Sequence, residues 1–144
     1  MKTNLYASGR KTLHVLNDLI RINIDRITGF EKAAHIERTP EAGLRDIFYR
    51  MAIDARAYVN DLHAWVIRLG GATVTQATIT GKIYLHWLEG KYSFNGKDNP
   101  TEEAYHHALD DQLPIEIRET IENQLWTLER ANQNLGIFFP ISRP

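Results

Sequence analysis

Residues 13–34, LHVLNDLIRINIDRITGFEKAA, carry the repeat that decides the fold. Apolar side chains recur there at alternating spacings of three and four, which places them along one face of an α-helix. Ile24 lies beside that face and widens it to the stripe that a helix needs in a bundle. The segment therefore predicts a long helix with one buried face. The repeat consists of Leu13, Leu16, Ile20, Asn23, Ile27, Phe30 and Ala34.

A second helix with the same spacing follows. Thr-Pro-Glu at 39–41 is typical of a helix start, with a capping hydroxyl, a proline in the first turn and an acid near the positive end of the helix dipole. Gly70-Gly71 predicts its end, because glycine accepts the left-handed conformation of a C-terminal cap. Its apolar face consists of Phe48, Met51, Ala55, Tyr58, Leu62, Trp65 and Leu69.

The rest of the chain predicts a broken third helix and an intact fourth. Residues 81–94 have helical spacing, 94–100 (FNGKDNP) interrupt it, and Asn99-Pro100 predicts a new start for a short helix over about 100–110. The last helix begins at Pro114, and FFPISRP ends the chain as a non-helical tail. We therefore expect an all-α, up-down-up-down four-helix bundle with its third helix broken near 95–100. Residues 1–144 form one domain, with a core over about 12–136 and flexible termini at 1–10 and 138–144.

Composition excludes several kinds of function. With 17 basic and 18 acidic residues, the net charge of −1 gives no electrostatic reason to expect nucleic acid or an anionic membrane as partner. The chain contains no cysteine, which rules out disulfides, thiolate metal sites and cysteine nucleophiles. No phosphate-binding glycine loop and no serine–histidine–acid arrangement is present, so we predict no catalytic residues. Cytoplasm is the expected compartment.

Four short motifs carry a resemblance to a known family. Leu-Asn-Asp-Leu at 16–19, Phe-Glu-Lys-Ala at 30–33, Leu-Gly-Gly at 69–71 and Leu-Pro at 113–114 resemble the small ferritin-like four-helix bundles grouped as a domain of unknown function. These are distant kin of bacterioferritin and rubrerythrin, and similar to the stress-associated YciE and YciF bundles. The resemblance covers about residues 12–136. It implies a ferritin-like fold and no established activity.

The resemblance also implies where a metal would bind, and this chain departs from that pattern. Ferritin-like relatives with known chemistry hold two irons through a Glu on each of two helices and Glu-x-x-His on each of the others. Here FNGKDNPTEEAY shortens the segment within the third helix. Asn132 stands where close relatives tend to place a histidine in the last helix.

Residues equally far from the turn of an antiparallel helix pair lie at the same height along the bundle axis. Counting residues from the turn therefore tests the metal site independently of the resemblance. With a first turn centred near 38–39, Asn23 lies opposite Asp54 at mid-bundle, where two glutamates would be expected. Ala57 occupies the position of the i+3 histidine ligand. A conventional site at mid-bundle is therefore incomplete.

A peripheral metal cluster remains conceivable near the bundle end. Glu31 and His35 lie one turn apart on a helix, and Glu103-x-x-His106 is the only Glu-x-x-His in the chain. With Glu119 they offer carboxylate and imidazole ligands suited to iron, manganese or zinc. The simpler interpretation is that Glu31 pairs with Arg45 and that residues 102–111 form a solvated helix face. The candidate metal ligands are Glu31, Asp54, Glu103 and His106.

Two buried amides suggest a structural role for the bundle centre. Asn23 and Gln124 are polar residues on apolar faces, and they are expected to face each other and fix helix register, with Asp54 sharing the network. Tyr58 and Trp65 are expected in the core, with their polar atoms reaching an edge.

Three functions stay open at this point. The preferred one is a non-catalytic scaffold or association module, a homodimer without cofactor that has lost the conventional di-iron ligands. Trp126, which lies off the apolar face, and the apolar tail 137–141 favour it. The alternatives are a di-metal iron or manganese carboxylate protein in metal handling or oxidative stress, and a small-ligand binder using a pocket at the broken third helix.

Overall fold

A computed structural model describes residues 2–35, 42–72 and 99–136, and four helices make up most of them. They are α1 (Lys2–His35), α2 (Ala42–Arg68), α3 (Pro100–Leu109) and α4 (Ile115–Gly136). The described ranges contain no β-strand. The predicted all-α four-helix bundle is confirmed, and so is the short helix that starts after Asn99.

Contacts between side chains give the directions of the first pair and of α4. The Arg26 guanidinium lies over the Tyr58 ring at 5.9 Å, and the His35 and Tyr49 rings meet edge-on at 5.8 Å. Residue numbers therefore rise along α1 as they fall along α2, so the two helices are antiparallel. Along α2 and α4, Trp65 Nε1 donates to Thr120 Oγ1 at 3.0 Å and the Tyr58 and Thr127 hydroxyls are hydrogen-bonded. These two helices are antiparallel as well.

The short helix α3 completes the arrangement. Tyr105 bonds to Gln124 and Asn132 bonds to Glu102, which makes α3 antiparallel to α4. Asn23 of α1 reaches Tyr105. Among the described helices α2 and α3 therefore run one way and α1 and α4 the other. Strict alternation predicts α4 antiparallel to α1, whereas the observed contacts make these two helices parallel; residues 73–98, between α2 and α3 in the sequence, lie outside the described residues.

Two apolar clusters stabilise the bundle. The larger lies between all four helices and includes Leu16, Leu62, Ile121 and Leu128. The smaller, here called the end cluster, joins the C-terminal half of α1 to the first half of α2 and the end of α4. Its buried members are Phe30, Ala33, Ala34, Leu44, Phe48, Met51, Ala52 and Leu135.

The two glycines after α2 have different tasks. Gly70 has φ +76°, and the amides of Gly70 and Gly71 donate to the carbonyls of Ile67 and Val66, which together form a Schellman cap. A Cβ on Gly71 would lie 2.5 Å from a methyl carbon of Leu13. Gly70 thus provides the left-handed turn and Gly71 provides the close approach to α1. The predicted end of the second helix is confirmed.

Of the other predicted helix ends, the start of α3 is confirmed, the start of α1 differs from the prediction, and others lie outside the described residues. Asn99 caps α3, since its side-chain oxygen accepts from the amides of Thr101 and Glu102 at 3.0 Å each. The first helix starts at Lys2, within the segment predicted as a flexible N-terminus. The predicted cap at 39–41, the helical stretch 81–94 and the tail 138–144 lie outside the described residues.

Candidate functional site

A chain of buried hydrogen bonds crosses the middle of the bundle. Asn23 Nδ2 donates to the Tyr105 hydroxyl at 2.8 Å, and that hydroxyl donates to Gln124 Oε1 at 2.6 Å. Asn23 and Tyr105 have no exposed surface, and Gln124 has 4%. The two amides predicted to face each other therefore share one network, joined by a tyrosine from the short helix. We call Asn23, Tyr105 and Gln124 the amide–tyrosine network.

The network is closed by further bonds to the protein. Asn23 Nδ2 also donates to the carbonyl of Leu19 at 2.9 Å, and Gln124 Nε2 donates to the carbonyl of Tyr58 at 3.3 Å. The Tyr58 hydroxyl, half-buried, reaches the Thr127 hydroxyl at the edge. Both amides are therefore occupied in donor and acceptor roles.

A buried arginine adjoins this network. Arg26 is 1% exposed, its Nη1 donates to Asn23 Oδ1 at 3.2 Å, and its guanidinium lies 5.5 Å from the centre of the Phe30 ring. Its Nε has no hydrogen-bond partner among the described residues. The centre of the bundle thus holds a positive charge, which lies next to aromatic faces and an amide oxygen and interacts with the carboxyl of Asp54.

Sequence reasoning missed Arg26, although a signal exists. A second alternation of three and four shares Asn23 and Phe30 with the first face and adds Leu19, Arg26 and Ala33 beside it. All five are buried, so α1 presents two adjacent buried stripes.

Burial changes the acid–base behaviour of the side chains at this centre. It raises the pKa of the Asp54 carboxyl, and the nearby charges of Arg26 and Arg50 only partly offset that rise. Burial likewise raises the pKa of Tyr105, more than its hydrogen bond from Asn23 and the charge of Arg26 lower it. The Tyr105 hydroxyl therefore keeps its proton at neutral pH and can donate it to Gln124.

The candidate ligand Glu31 is engaged in an ion pair. Its carboxylate forms an ion pair with Arg56 of α2, whereas the sequence analysis predicted Arg45 as the partner. The count assumed a turn centred at 38–39, and the observed contacts of α1 pair it with positions farther along α2. Both partners are partly exposed at the rim.

The candidates on α3 lie on its outer side. Glu103 is exposed, and His106 Nε2 lies 3.1 Å from a carboxylate oxygen of Glu129. Within 2–35, 42–72 and 99–136, no three His, Asp or Glu side chains are grouped as metal ligands would be. Glu31, Asp54, Glu103 and His106 therefore do not meet in one such group.

One acid of α3 differs from the predicted solvated face. Glu102 is 3% exposed, and Asn132 Nδ2 donates to its carboxylate at 2.8 Å. Asn132 is the residue at which the resemblance implied a histidine. Sequence reasoning treated Glu102 as solvated because it stands in an acidic run, and no local pattern showed which side of α3 faces the bundle.

A polar groove of about 280 Å³ lies between α2 and α4. Its walls carry hydroxyl and amide groups with a single carboxylate, and its floor meets the amide–tyrosine network at Gln124. Such walls offer hydrogen bonds to a small polar molecule. The lining residues are Tyr58, Asp61, Thr120, Asn123, Gln124 and Thr127.

Comparison with known proteins identifies a family. No curated protein and no solved structure matches the chain. None of the described helices has the length and apolar character that crossing a membrane requires. A family model described as "Domain of unknown function (DUF2383)" matches residues 11–113, most of the chain. The protein belongs to this DUF2383 family.

Proposed function

We propose that this domain is a non-catalytic scaffold that acts by associating with a second copy of itself. The closed amide–tyrosine network at mid-bundle supports the non-catalytic part of this proposal, and the exposed apolar side chains of Ile53, Ile67 and Trp126 support association. A ligand site keeps donor or acceptor groups available, whereas here both amides already bond to the protein. A fully satisfied buried network rigidifies a core and specifies one arrangement of its helices.

The charge at the centre supports the same proposal. The Arg26 guanidinium occupies the interior next to Asn23 and acts on the carboxyl of Asp54. A divalent metal placed beside it would be repelled, and more strongly than in water because the surroundings are buried. We therefore infer that the chain has exchanged the conventional di-iron ligands for a cation of its own.

The helix directions support kinship with ferritin-like bundles. Ferritin-like folds contain one long crossover connection, so that two consecutive helices run in the same direction. Here α2 and α3, which follow each other among the described helices, run in the same direction. We propose that this relationship is one of architecture, without the iron chemistry.

Metal analysis tests the proposal against its main alternative. Protein purified without chelators is analysed for iron, manganese and zinc, and is then titrated anaerobically with Fe(II) and with Mn(II). We expect less than one metal per chain and no shift of the thermal midpoint. Stoichiometric binding that is lost in Glu31→Ala, and kept in the control Glu116→Ala, an exposed acid outside the candidate cluster, would instead favour a di-metal carboxylate protein in metal handling or stress response.

A small-ligand function is the second candidate, and the polar groove between α2 and α4 favours it. A ligand that binds only the folded state raises stability by RT ln(1 + [L]/Kd). A thermal-shift screen of polyols, amines and amino acids against wild type and Asn123→Ala tests this, since Asn123 is an exposed amide in the wall of the groove. A shift in wild type that the variant abolishes would support the binder.

A cytoplasmic location stays a prediction from the sequence.

A further inference from the structure

The outward side of α2 carries a row of uncharged residues five turns long. Ile53 and Ile67 are 65% and 67% exposed, and Tyr49 is 38% exposed. Two small residues and one amide lie between them, all of them exposed. We call this row the α2 stripe; it consists of Tyr49, Ile53, Ala57, Asn60, Ala64 and Ile67.

The stripe is separate from the face that α2 uses in its own bundle. The buried residues of α2, including Ala55, Leu62 and Val66, lie on the opposite side of the helix. The solvent face of a bundle helix ordinarily carries charges, and an apolar row of this length marks an interaction site.

We infer that a second copy of this chain docks on the α2 stripe with the two α2 helices antiparallel. This inference rests on the proposed association function and names its surface. A two-fold interface must be complementary to itself. In the antiparallel register, Ile53 faces the partner's Ala64, Ala57 faces the partner's Asn60, and Tyr49 faces the partner's Ile67. Large residues thus meet small ones at the inner positions, as packing between helix ridges requires.

Charges at the ends of the stripe favour the same direction. Asp46 and Arg68 are both exposed, one at each end of α2. An antiparallel partner brings Arg68 of one copy near Asp46 of the other and also near the exposed Arg50, so an attraction offsets a repulsion, and both contacts repeat by symmetry. A parallel partner would place like charges together at both ends.

The size of the stripe sets the strength of the contact. At about 1.5 Å per residue, positions 49 to 67 span roughly 27 Å. One helix face against another buries less than the ~1,200 Å² of a standard stable interface. The dimer is therefore reversible, and its population depends on protein concentration.

Sedimentation analysis of the full chain from low micromolar to about 0.5 mM tests the surface. We expect wild type to shift from monomer to dimer and Ile53→Arg to stay monomeric over the whole range. Ile115→Arg is the matched control, since Ile115 is 69% exposed but lies on α4. It should dimerise like wild type, and circular dichroism checks that both variants fold.

The outcomes separate this inference from the proposed function. A dimer that survives Ile53→Arg, or that Ile115→Arg abolishes, overturns the α2 stripe and leaves association standing. A wild-type chain that is monomeric at every concentration overturns both.

Cross-linking tests the register, because the chain has no cysteine of its own. A short bismaleimide should link Ala57→Cys to itself. It should also link a mixture of Tyr49→Cys and Ile67→Cys, but neither of these alone, since each would lie roughly 25–30 Å along the helix axis from its own copy. Links within each single variant, and no link between the two different variants in the mixture, would show a parallel dimer and overturn the inference.

Discussion

The middle of the bundle and its end cluster lie next to each other, yet opposite physical effects hold them together. The end cluster is apolar, with the Phe30 and Phe48 rings stacked at 6.1 Å. The middle contains Asn23, Tyr105 and Gln124 with Arg26 beside them, all buried. Any apolar residue of suitable volume can fill the first region, whereas the second accepts only partners whose donors and acceptors match.

This difference separates stability from specificity. Burial of apolar area gives most of the folding free energy and is not directional. A buried hydrogen bond adds only about 1 kcal/mol net, but leaving its partner unsatisfied costs more. We therefore assign stability to the two apolar clusters, and to the amide–tyrosine network the correct placement of α3 and α4 against α1.

The largest effect is expected from truncation in the end cluster. Phe48→Ala should lower the free energy of unfolding by about 3–5 kcal/mol, because it removes a buried ring and leaves a cavity. Urea unfolding followed by circular dichroism measures this. The control Ile53→Ala, on the exposed side of α2, should change it by less than about 1 kcal/mol. Equal losses of unfolding free energy in the two variants would contradict the assignment of Phe48 to the core and Ile53 to the exposed stripe.

A smaller effect is expected when the bridge of the network is removed. Tyr105→Phe keeps the ring and leaves the Asn23 donor and the Gln124 acceptor without their partner, so we expect a loss of about 1–3 kcal/mol. Tyr58→Phe is the matched control, since its hydroxyl bonds Thr127 at the half-buried edge. It should lose less than Tyr105→Phe in the same urea experiment. The reverse ranking would mean that the buried bridge contributes little.

The smallest effect concerns the Asp54 carboxyl. Its pKa is raised in the folded state by burial, so the folded protein holds this proton more tightly than the unfolded chain does. Protonation of Asp54 therefore stabilises the folded state fully below the ordinary pKa of 3.8. This stabilisation is lost as the pH rises through the raised pKa. Asp54→Asn should raise stability at neutral pH by less than about 1 kcal/mol, since the carboxyl is only partly buried.

Unfolding measured between pH 3 and pH 8 checks the sign, with Asp46→Asn as the exposed control. The gain from Asp54→Asn should shrink as the pH falls toward the ordinary range of an aspartate. A substitution that destabilises at neutral pH would show that attraction to Arg26 and Arg50 outweighs burial.

The apolar periodicity was sufficient to predict the helices. The face from Leu13 to Ala34 and the stop at Gly70-Gly71 could be read from the sequence, because both depend on local spacing and local backbone conformation. The relative direction of α4 could not be read in this way. It depends on contacts between residues far apart in the sequence, such as Trp65 with Thr120, and periodicity carries no information about them.

The polar centre was predictable only in part. A polar residue on an apolar face identified Asn23 and Gln124, but their partner Tyr105 comes from a short helix whose docking no local pattern determines. Arg26 was missed because a charged residue is ordinarily assigned to the surface. The pairing of Glu31 with Arg56 was missed because a height count fails once the turn is not centred where the sequence suggests.

A double-mutant cycle tests most directly the claim that the two amides form one structural unit through Tyr105. Asn23→Ala, Gln124→Ala and the double variant are unfolded in urea, in the wild-type background and in the Tyr105→Phe background. We expect a coupling energy of about 1 kcal/mol in wild type that falls toward zero in Tyr105→Phe. If the losses of unfolding free energy in Asn23→Ala and Gln124→Ala are additive in both backgrounds, the claim is contradicted.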